Sequence, residues 1–317
     1  MRREQFRMEM KMFGKTVVRD MINRSAENET DRRIFLKSAG VAGLGVVGGS
    51  ALTGATMAPA SAAPSDGAIL NFALNLEYLE AEFYQQAAFG KSLGDHLTSG
   101  TGRKGGVVGG RQVRFATPRI AKIAREIAQD ELAHVKFLRT ALGGAKVARP
   151  QINLRTSFTA AAQAAGLIGK GQTFDPFANE NNFLLAAYLF EDVGVSAYKG
   201  AAPLISNKTY LDAAAGILSA EAYHAGIVRS ALFEKDQWKA AKAISDARDS
   251  LDGRSDLDQG LGRKRSNLVP ADRNGIVFGR SAAQVLNVVY LNPKSVDKGG
   301  FYPRGVNGTI AVSGGTK

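Results

Sequence analysis

Two of the chain's three histidines stand in the same four-residue frame, Glu131-Leu132-Ala133-His134 and Glu221-Ala222-Tyr223-His224. Each frame lies in an Ala/Leu-rich stretch with helical periodicity. Residues three apart on a helix share a face, so each Glu and His point at one spot. Two further helical stretches each carry an inward-facing acid, Glu77 in Leu74-Asn75-Leu76-Glu77-Tyr78-Leu79-Glu80 and Glu191 in Ala187-Tyr188-Leu189-Phe190-Glu191-Asp192. Four helices that each send polar donors inward must be packed around a common core, which constrains the fold to an all-α four-helix bundle.

The pattern repeats within the chain. The first helix reads Glu77-x6-Tyr84 and the third Glu191-x6-Tyr198, while the second and fourth each carry Glu-x-x-His. Two similar helix pairs face to face form a pseudo-symmetric pocket suited to two metal ions. In that arrangement Glu131 and Glu221 bridge, Glu77 and Glu191 are terminal ligands, and His134 and His224 give one imidazole per metal. Hard carboxylates with few imidazoles suit Fe or Mn better than Cu(I). Four carboxylates against two divalent ions leave the interior close to neutral; without ions, some carboxylates must take up protons. Tyr84 and Tyr198 lie two turns, roughly 10 Å, from their glutamates. They could hydrogen-bond a ligand carboxylate on a neighbouring helix, or serve as ordinary core aromatics. Glu80 shares the Glu77 face and could bind metal in its place. Asp192 reads as solvent- or loop-facing, Asp130 and Glu126 as ordinary exposed charges, and His96 as a loop residue.

The 317 residues contain no cysteine, which rules out iron–sulfur and Cys-zinc sites and leaves oxygen and imidazole as metal donors. The length allows one large or two ordinary domains. The formal charge is +12, but ten of the 41 Lys/Arg and six of the 29 Asp/Glu lie in residues 1–63, so the remainder carries +8. That excess fits contact with anionic surfaces. No aromatic-interleaved basic helix accompanies it, so nucleic acid is not an expected partner.

The first 63 residues read as an address. Asp31-Arg32-Arg33-Ile34-Phe35-Leu36-Lys37 resembles a twin-arginine export signal, with Arg32 and Arg33 as its arginine pair. A Gly/Ala-rich apolar run follows from Ser38 to about Met57, then Ala58-Pro59-Ala60-Ser61-Ala62-Ala63 offers small-x-small cleavage sites. The run is too glycine-rich to hold well as a membrane helix, an uncleaved anchor being the alternative. The twin-arginine export machinery is thus an expected partner, and the periplasm or extracellular space the expected location. The segment before Asp31 is long for such a leader, and Met8, Met10, Met12 and Met21 are alternative starts.

Along the rest of the chain, a helix is expected over 66–89 with Leu70, Ala73, Leu74, Glu77, Ala81 and Tyr84 on one stripe, ended by Gly90. Residues 91–116 read as a long flexible connection. Thr117-Pro118 caps a second helix, which Gly143-Gly144 stops near Leu142. A short extra helix is expected over 156–168 and a turn at Asp175-Pro176. A third helix follows from about Asn181 to Lys199, broken by Pro203, and a fourth, opened by Asn207, over about 208–235. A helical patch after Trp238 and an apolar segment from Ala282 to Tyr290 complete the reading. The expected organisation is an export region (1–63), a four-helix bundle with a long crossover (64–236) and an irregular C-terminal extension (237–317).

The stretch Ile69-Leu70-Asn71-Phe72-Ala73-Leu74-Asn75-Leu76-Glu77-Tyr78-Leu79-Glu80-Ala81-Glu82-Phe83-Tyr84 resembles the opening helix of exported ferritin-like proteins related to the plant desiccation-related family. Gly279-Arg280-Ser281-Ala282-Ala283-Gln284-Val285-Leu286, with Gly300-Phe301-Tyr302-Pro303-Arg304-Gly305-Val306-Asn307-Gly308, resembles that family's C-terminal signature. The likeness covers nearly all of 66–310. It implies a ferritin-like bundle with the extension packed against it. The ligand pattern is more distantly similar to rubrerythrins, ferritins and manganese catalases. Their chemistry gives three options: oxidation of ferrous iron with O2, peroxide reduction (peroxidase) or peroxide dismutation (catalase-like). Electron delivery through a rubredoxin-type Cys site is excluded by the absence of Cys. The leading expectation is an exported dimetal-carboxylate oxidoreductase that oxidises ferrous iron or consumes peroxide in oxidative or desiccation stress. The alternative is a non-catalytic protective or surface-binding protein that uses basic loops such as Arg103, Lys104, Arg111 and Arg114 on anionic polymers or lipids. A third reading is metal delivery or buffering without turnover. Assembly into a homo-oligomer is left open.

Overall fold

The computed structural model describes residues 64–315, so the arginine pair Arg32-Arg33 and the rest of the export region lie outside the described residues. The fold is all-α with seven helices among the described residues: α1 (Asp66–Phe89), α2 (Pro118–Leu142), α3 (Thr156–Ala164), α4 (Glu180–Ala201), α5 (Lys208–Glu234), α6 (Trp238–Asp252) and α7 (Ala282–Val289). Residues 64–206 and 213–315 form one compact unit, and 207–212, the opening of α5, lies outside it. No described helix is long and apolar enough to cross a membrane.

Local chemistry sets the helix ends. Ser65 caps α1, its hydroxyl accepting from the Ala68 amide at 3.2 Å, and Gly90 closes it in the left-handed region at φ 66°. Pro118 opens α2 at a position that needs no amide. Thr117 precedes it, but its hydroxyl does not cap α2; it donates to Glu180 Oε1 on α4 at 2.7 Å, tying the two helix starts together. Asn179 caps α4, accepting from the Asn182 amide at 2.9 Å. A 3-10 turn at Ala202–Leu204, containing Pro203, ends it.

Helix α1 packs along α2 and against α4, and α6 and α7 pack on α4. The expected one-sided stripe on α1 is corrected: Phe72, Leu76, Leu79 and Phe83 are buried as well as the stripe residues. The C-terminal extension covers the face that a lone bundle would leave in water. Asn75 and Asn307 exchange hydrogen bonds, Nδ2 to carbonyl at 2.8 Å and amide to Oδ1 at 3.0 Å. The Tyr302 hydroxyl donates to the Asn75 carbonyl at 2.7 Å, and Phe301 meets Phe158 and Phe190 edge-on, both at 4.9 Å.

The connection over 91–116 is also more ordered than its composition suggests. It holds a 3-10 turn (Asp95–Leu97) and a two-residue strand β1 (Val107–Val108), which pairs in parallel with β2 (Ile152–Asn153) from the long crossover. Arg149 reaches from the crossover to Glu82 on α1, whose carboxylate also accepts from the Ser92 hydroxyl at 2.5 Å. Of the five basic residues in this loop, Lys104 pairs with Asp95 and Arg111 with Asp175, each at 2.7 Å.

Candidate metal centre

All six sequence-designated donors converge. Glu77, Glu131, Glu191 and Glu221 are at most 1 % exposed, and the His134 and His224 rings sit 6.4 Å apart. The donor atoms fall into two groups. Glu77, Glu131, His134 and Glu221 form one; Glu131, Glu191 and His224 form the other; within each, the donors lie within 4.8 Å of one another. Glu131 belongs to both. Its Oε1 is 3.2 Å from His224 Nδ1 and its Oε2 is 3.5 Å from His134 Nδ1. It lies between the two groups. Glu221, read from sequence as a second bridge, groups only on the His134 side, with Oε1 at 3.7 Å from His134 Nδ1.

The two tyrosines cross between helix pairs. Tyr84 on α1 donates to Glu191 on α4, and Tyr198 on α4 donates to Glu77 on α1. Each leaves one carboxylate oxygen, Glu191 Oε2 or Glu77 Oε2, without a hydrogen-bond partner. Glu80 is buried beside them, near Glu221, and lies in neither group of donors.

Eight buried side-chain atoms of this cluster lack a hydrogen-bond partner among the described residues: Glu77 Oε2, both oxygens of Glu131 and of Glu221, Glu191 Oε2, and Nδ1 of each histidine. Orphaned polar atoms are rare in native interiors and each costs about 1–3 kcal/mol, more when charged. Eight converging orphans, all oxygen or imidazole nitrogen, are what one or more hard or borderline cations would satisfy. The donor set fits metal.

The electrostatics agree. Burial raises the Glu77 carboxyl to about 7 against the pull of His134, and Glu191 to about 8 against His224. Burial, then the Glu131 charge, pushes Glu221 and Glu80 well up. Burial would raise Glu131 too, but the two imidazoles overcome it and hold it at about 2. The histidines move the other way: burial would lower them, yet Glu77 and Glu131 raise His134 to about 11, and Asp130 and Glu131 raise His224 to about 10. A cluster that crowds anions until most are protonated is one that bound cations would relieve.

Two residues at the site were not singled out from the sequence. Asp130, read as an ordinary exposed charge, places Oδ2 3.1 Å from His224 Nε2. A carboxylate accepts only, so Nε2 carries a proton, and the neutral ring would present Nδ1 to a metal. The repeat puts Ala220 at the equivalent position, where no such acceptor exists. Gly194, three residues after Glu191, stands where the repeat has Glu80, three after Glu77. A Cβ there would collide with the Glu221 carboxylate and come within 3.4 Å of Glu80 Oε1. The comparison of the two halves was the available signal for both.

The neighbouring reading of Asp192 is corrected. It is buried and accepts from Arg229 Nε at 2.8 Å and Arg248 Nη2 at 2.7 Å. His96 is exposed in its 3-10 turn, as a loop residue.

Comparison with known proteins agrees with this geometry. Residues 65–234 match the model of the ferritin-like domain family. The chain belongs to the ferritin-like family. This ferritin-like chain is 30% identical, over 77% of its own length and 83% of the relative's, to the desiccation-related protein PCC13-62 of Craterostigma plantagineum. It is 28% identical, over 77% and 84%, to the ferritin-like catalase Nec2 of Nesocodon mauritianus. No solved structure matches it. The family match spans α1 to α5, which carry every donor of the ferritin-like centre, while both relatives extend over most of the chain.

Proposed function

We propose that this protein is a dimetal-carboxylate oxidoreductase that consumes hydrogen peroxide, exported through the twin-arginine route and serving in oxidative or desiccation stress. The observation that carries the reading is the set of eight unpartnered donor atoms gathered on either side of Glu131. The name of the catalase relative supports peroxide as the substrate, and that of the desiccation-related relative supports the stress setting. Glu77, Glu131, His134 and Glu221 would hold one ion, and Glu131, Glu191 and His224 the other. A bound pair of Fe or Mn ions would supply the electron transfer that no side chain of a cysteine-free chain provides.

The chain's own groups have defined tasks. Tyr84 and Tyr198 fix the orientation of Glu191 and Glu77 by donating to one oxygen of each. Asp130 holds the proton at His224 Nε2 and so fixes the ring. Glu221 and Glu80, whose carboxyls burial pushes well up, are the groups able to hold a proton inside the pocket at neutral pH. Phe83 and Phe183 pack against the Tyr84 ring and hold it in place.

The test is oxygen evolution and peroxide loss with protein purified from its native host. Turnover that disappears in Glu131→Ala supports the reading. A metal-loaded protein that leaves peroxide untouched but oxidises ferrous iron would move the substrate to iron, and one inert to both would leave metal buffering.

A further inference from the structure

One cavity opens on this cluster from outside. It lies between α2 and α5, has a volume of about 300 Å³, and ends on the imidazole of His224. About 10–15 Å³ suffices to hold one water, so the cavity has room for several waters or for an ion with part of its hydration shell. Its walls are Ile123 and Ile127 on α2 and Ile227 on α5, and its only charged lining groups besides the histidine are Glu126 and Asp130. These two carboxylates are one turn apart on the same face of α2, Glu126 exposed and Asp130 half-buried, so they form a file from solvent to His224. No Lys or Arg lines the cavity.

That charge pattern runs against the rest of the molecule. The chain outside residues 1–63 carries +8, a field that slows the approach of cations. A cation-dependent site in a basic protein therefore needs a locally negative approach, and the α2–α5 cleft supplies one. At its inner end Asp130 already holds His224 by Nε2, and the ring's Nδ1 faces the orphaned oxygens of Glu131 and Glu191. We propose that this cleft is the port through which divalent cations reach the buried Glu/His cluster, with Glu126 and Asp130 as successive carboxylate stops and His224 as the inner gate. The proposal rests on the reading that the cluster holds metal.

The experiment follows Co2+ uptake by metal-depleted full-length protein in a stopped-flow absorbance instrument, with final metal content measured separately. Two variants outside the donor set are compared with wild type: Glu126→Gln, which removes the outer charge, and Ile227→Trp, which fills the cleft. The port requires uptake at least several-fold slower in Glu126→Gln, with a weaker dependence on ionic strength, and about tenfold slower or more in Ile227→Trp. The final Co2+ content must equal that of wild type in both. Uptake at the wild-type rate in both variants, with full loading, overturns the port and leaves the metal reading standing. Normal Co2+ uptake in Glu126→Gln with slowed peroxide consumption in Ile227→Trp would make the cleft a peroxide channel, which also overturns it. Wild-type protein that takes up no Co2+ overturns the metal reading and the port together.

Discussion

The bundle buries two charged clusters side by side, and they are built on opposite principles. Around Asp192, three arginines (Arg229, Arg248 and Arg280) meet three aspartates (Asp192, Asp252 and Asp258) in five ion pairs of 2.6–2.8 Å. Arg229 and Arg248 also lie over the Tyr188 ring, at 5.1 and 4.6 Å. Only Arg248 Nε and Asp252 Oδ1 lack a hydrogen-bond partner there. Next to it, starting at the adjacent residue Glu191, five glutamates surround two histidines and leave eight atoms orphaned. The first cluster is balanced by the chain itself and ties α4 and α5 to α6 and to Asp258 and Arg280 further along the C-terminal extension. The second is unbalanced by the chain and waits for charge from outside. Helix α4 belongs to both, so the balanced cluster fixes the helix on which the unbalanced one is built.

The largest contrast comes from removing one ionisable group from each. Arg248→Ala leaves Asp192 with Arg229 alone and Asp258 with Arg280 alone, so one buried negative charge is uncompensated, and it is expected to cost about 3–5 kcal/mol of stability, read by urea unfolding. Glu221→Gln in the metal-depleted protein is expected to leave the midpoint nearly unchanged at neutral pH, because burial and the Glu131 charge already keep that carboxyl protonated, and to raise it at higher pH, where the wild-type carboxyl would have to ionise. A loss of stability there comparable to that of Arg248→Ala would mean that the Glu/His cluster is balanced internally.

Metal affinity sharpens the comparison next. Asp130→Asn keeps the shape but weakens the hold on His224, and is expected to lower affinity about 10–100-fold in competition with a chelator. Gly194→Ala, which drives a methyl into the Glu221 carboxylate, is expected to lower metal content while leaving far-UV circular dichroism unchanged. Unaltered metal content in Gly194→Ala would show that Glu221 is free to move and does not need that seat.

A smaller effect is expected from pH. Glu77 and Glu191 are raised by burial from 4.5 to about 7 and about 8, so the folded metal-depleted protein binds more protons than the unfolded chain above about pH 4.5. Stability present below that value is lost as pH rises through 7 and 8, and the raised histidines extend the loss upward. Glu131, held at about 2, works in the opposite direction and only below pH 4.5. Thermal melts of the metal-depleted protein should fall from pH 5 to pH 9. The loaded protein should lack that slope, since deprotonated donors are then the bound form.

Much of this was legible in the sequence because it depends on local spacing. Glu-x-x-His fixes two donors on one helix face whatever surrounds it, and the Glu-x6-Tyr repeat supplies the crossing tyrosines. Gly90, Pro118 and Pro203 mark helix ends through backbone geometry alone. What escaped depends on neighbours distant in the chain. Asp192, one position round from Glu191, points away from the metal-type cluster, and a helix in isolation offers only solvent there; its partners Arg229 and Arg248 arrive from 37 and 56 residues later. Asp130 looked like surface because its partner, His224, is 94 positions away. The all-round burial of α1 required the extension to return to Asn75 from Tyr302 and Asn307. The pairing of β1 with β2 involves two residues each, too few to leave a periodic trace.

The central claim is that the Glu/His cluster is completed by metal. The most direct measurement is elemental analysis of protein purified from its native host without chelators or an affinity tag, alongside Glu131→Ala. About two Fe or Mn per chain are expected, lost in the variant. A folded wild-type protein that carries no metal, and takes up none when Fe2+ or Mn2+ is offered, would contradict it.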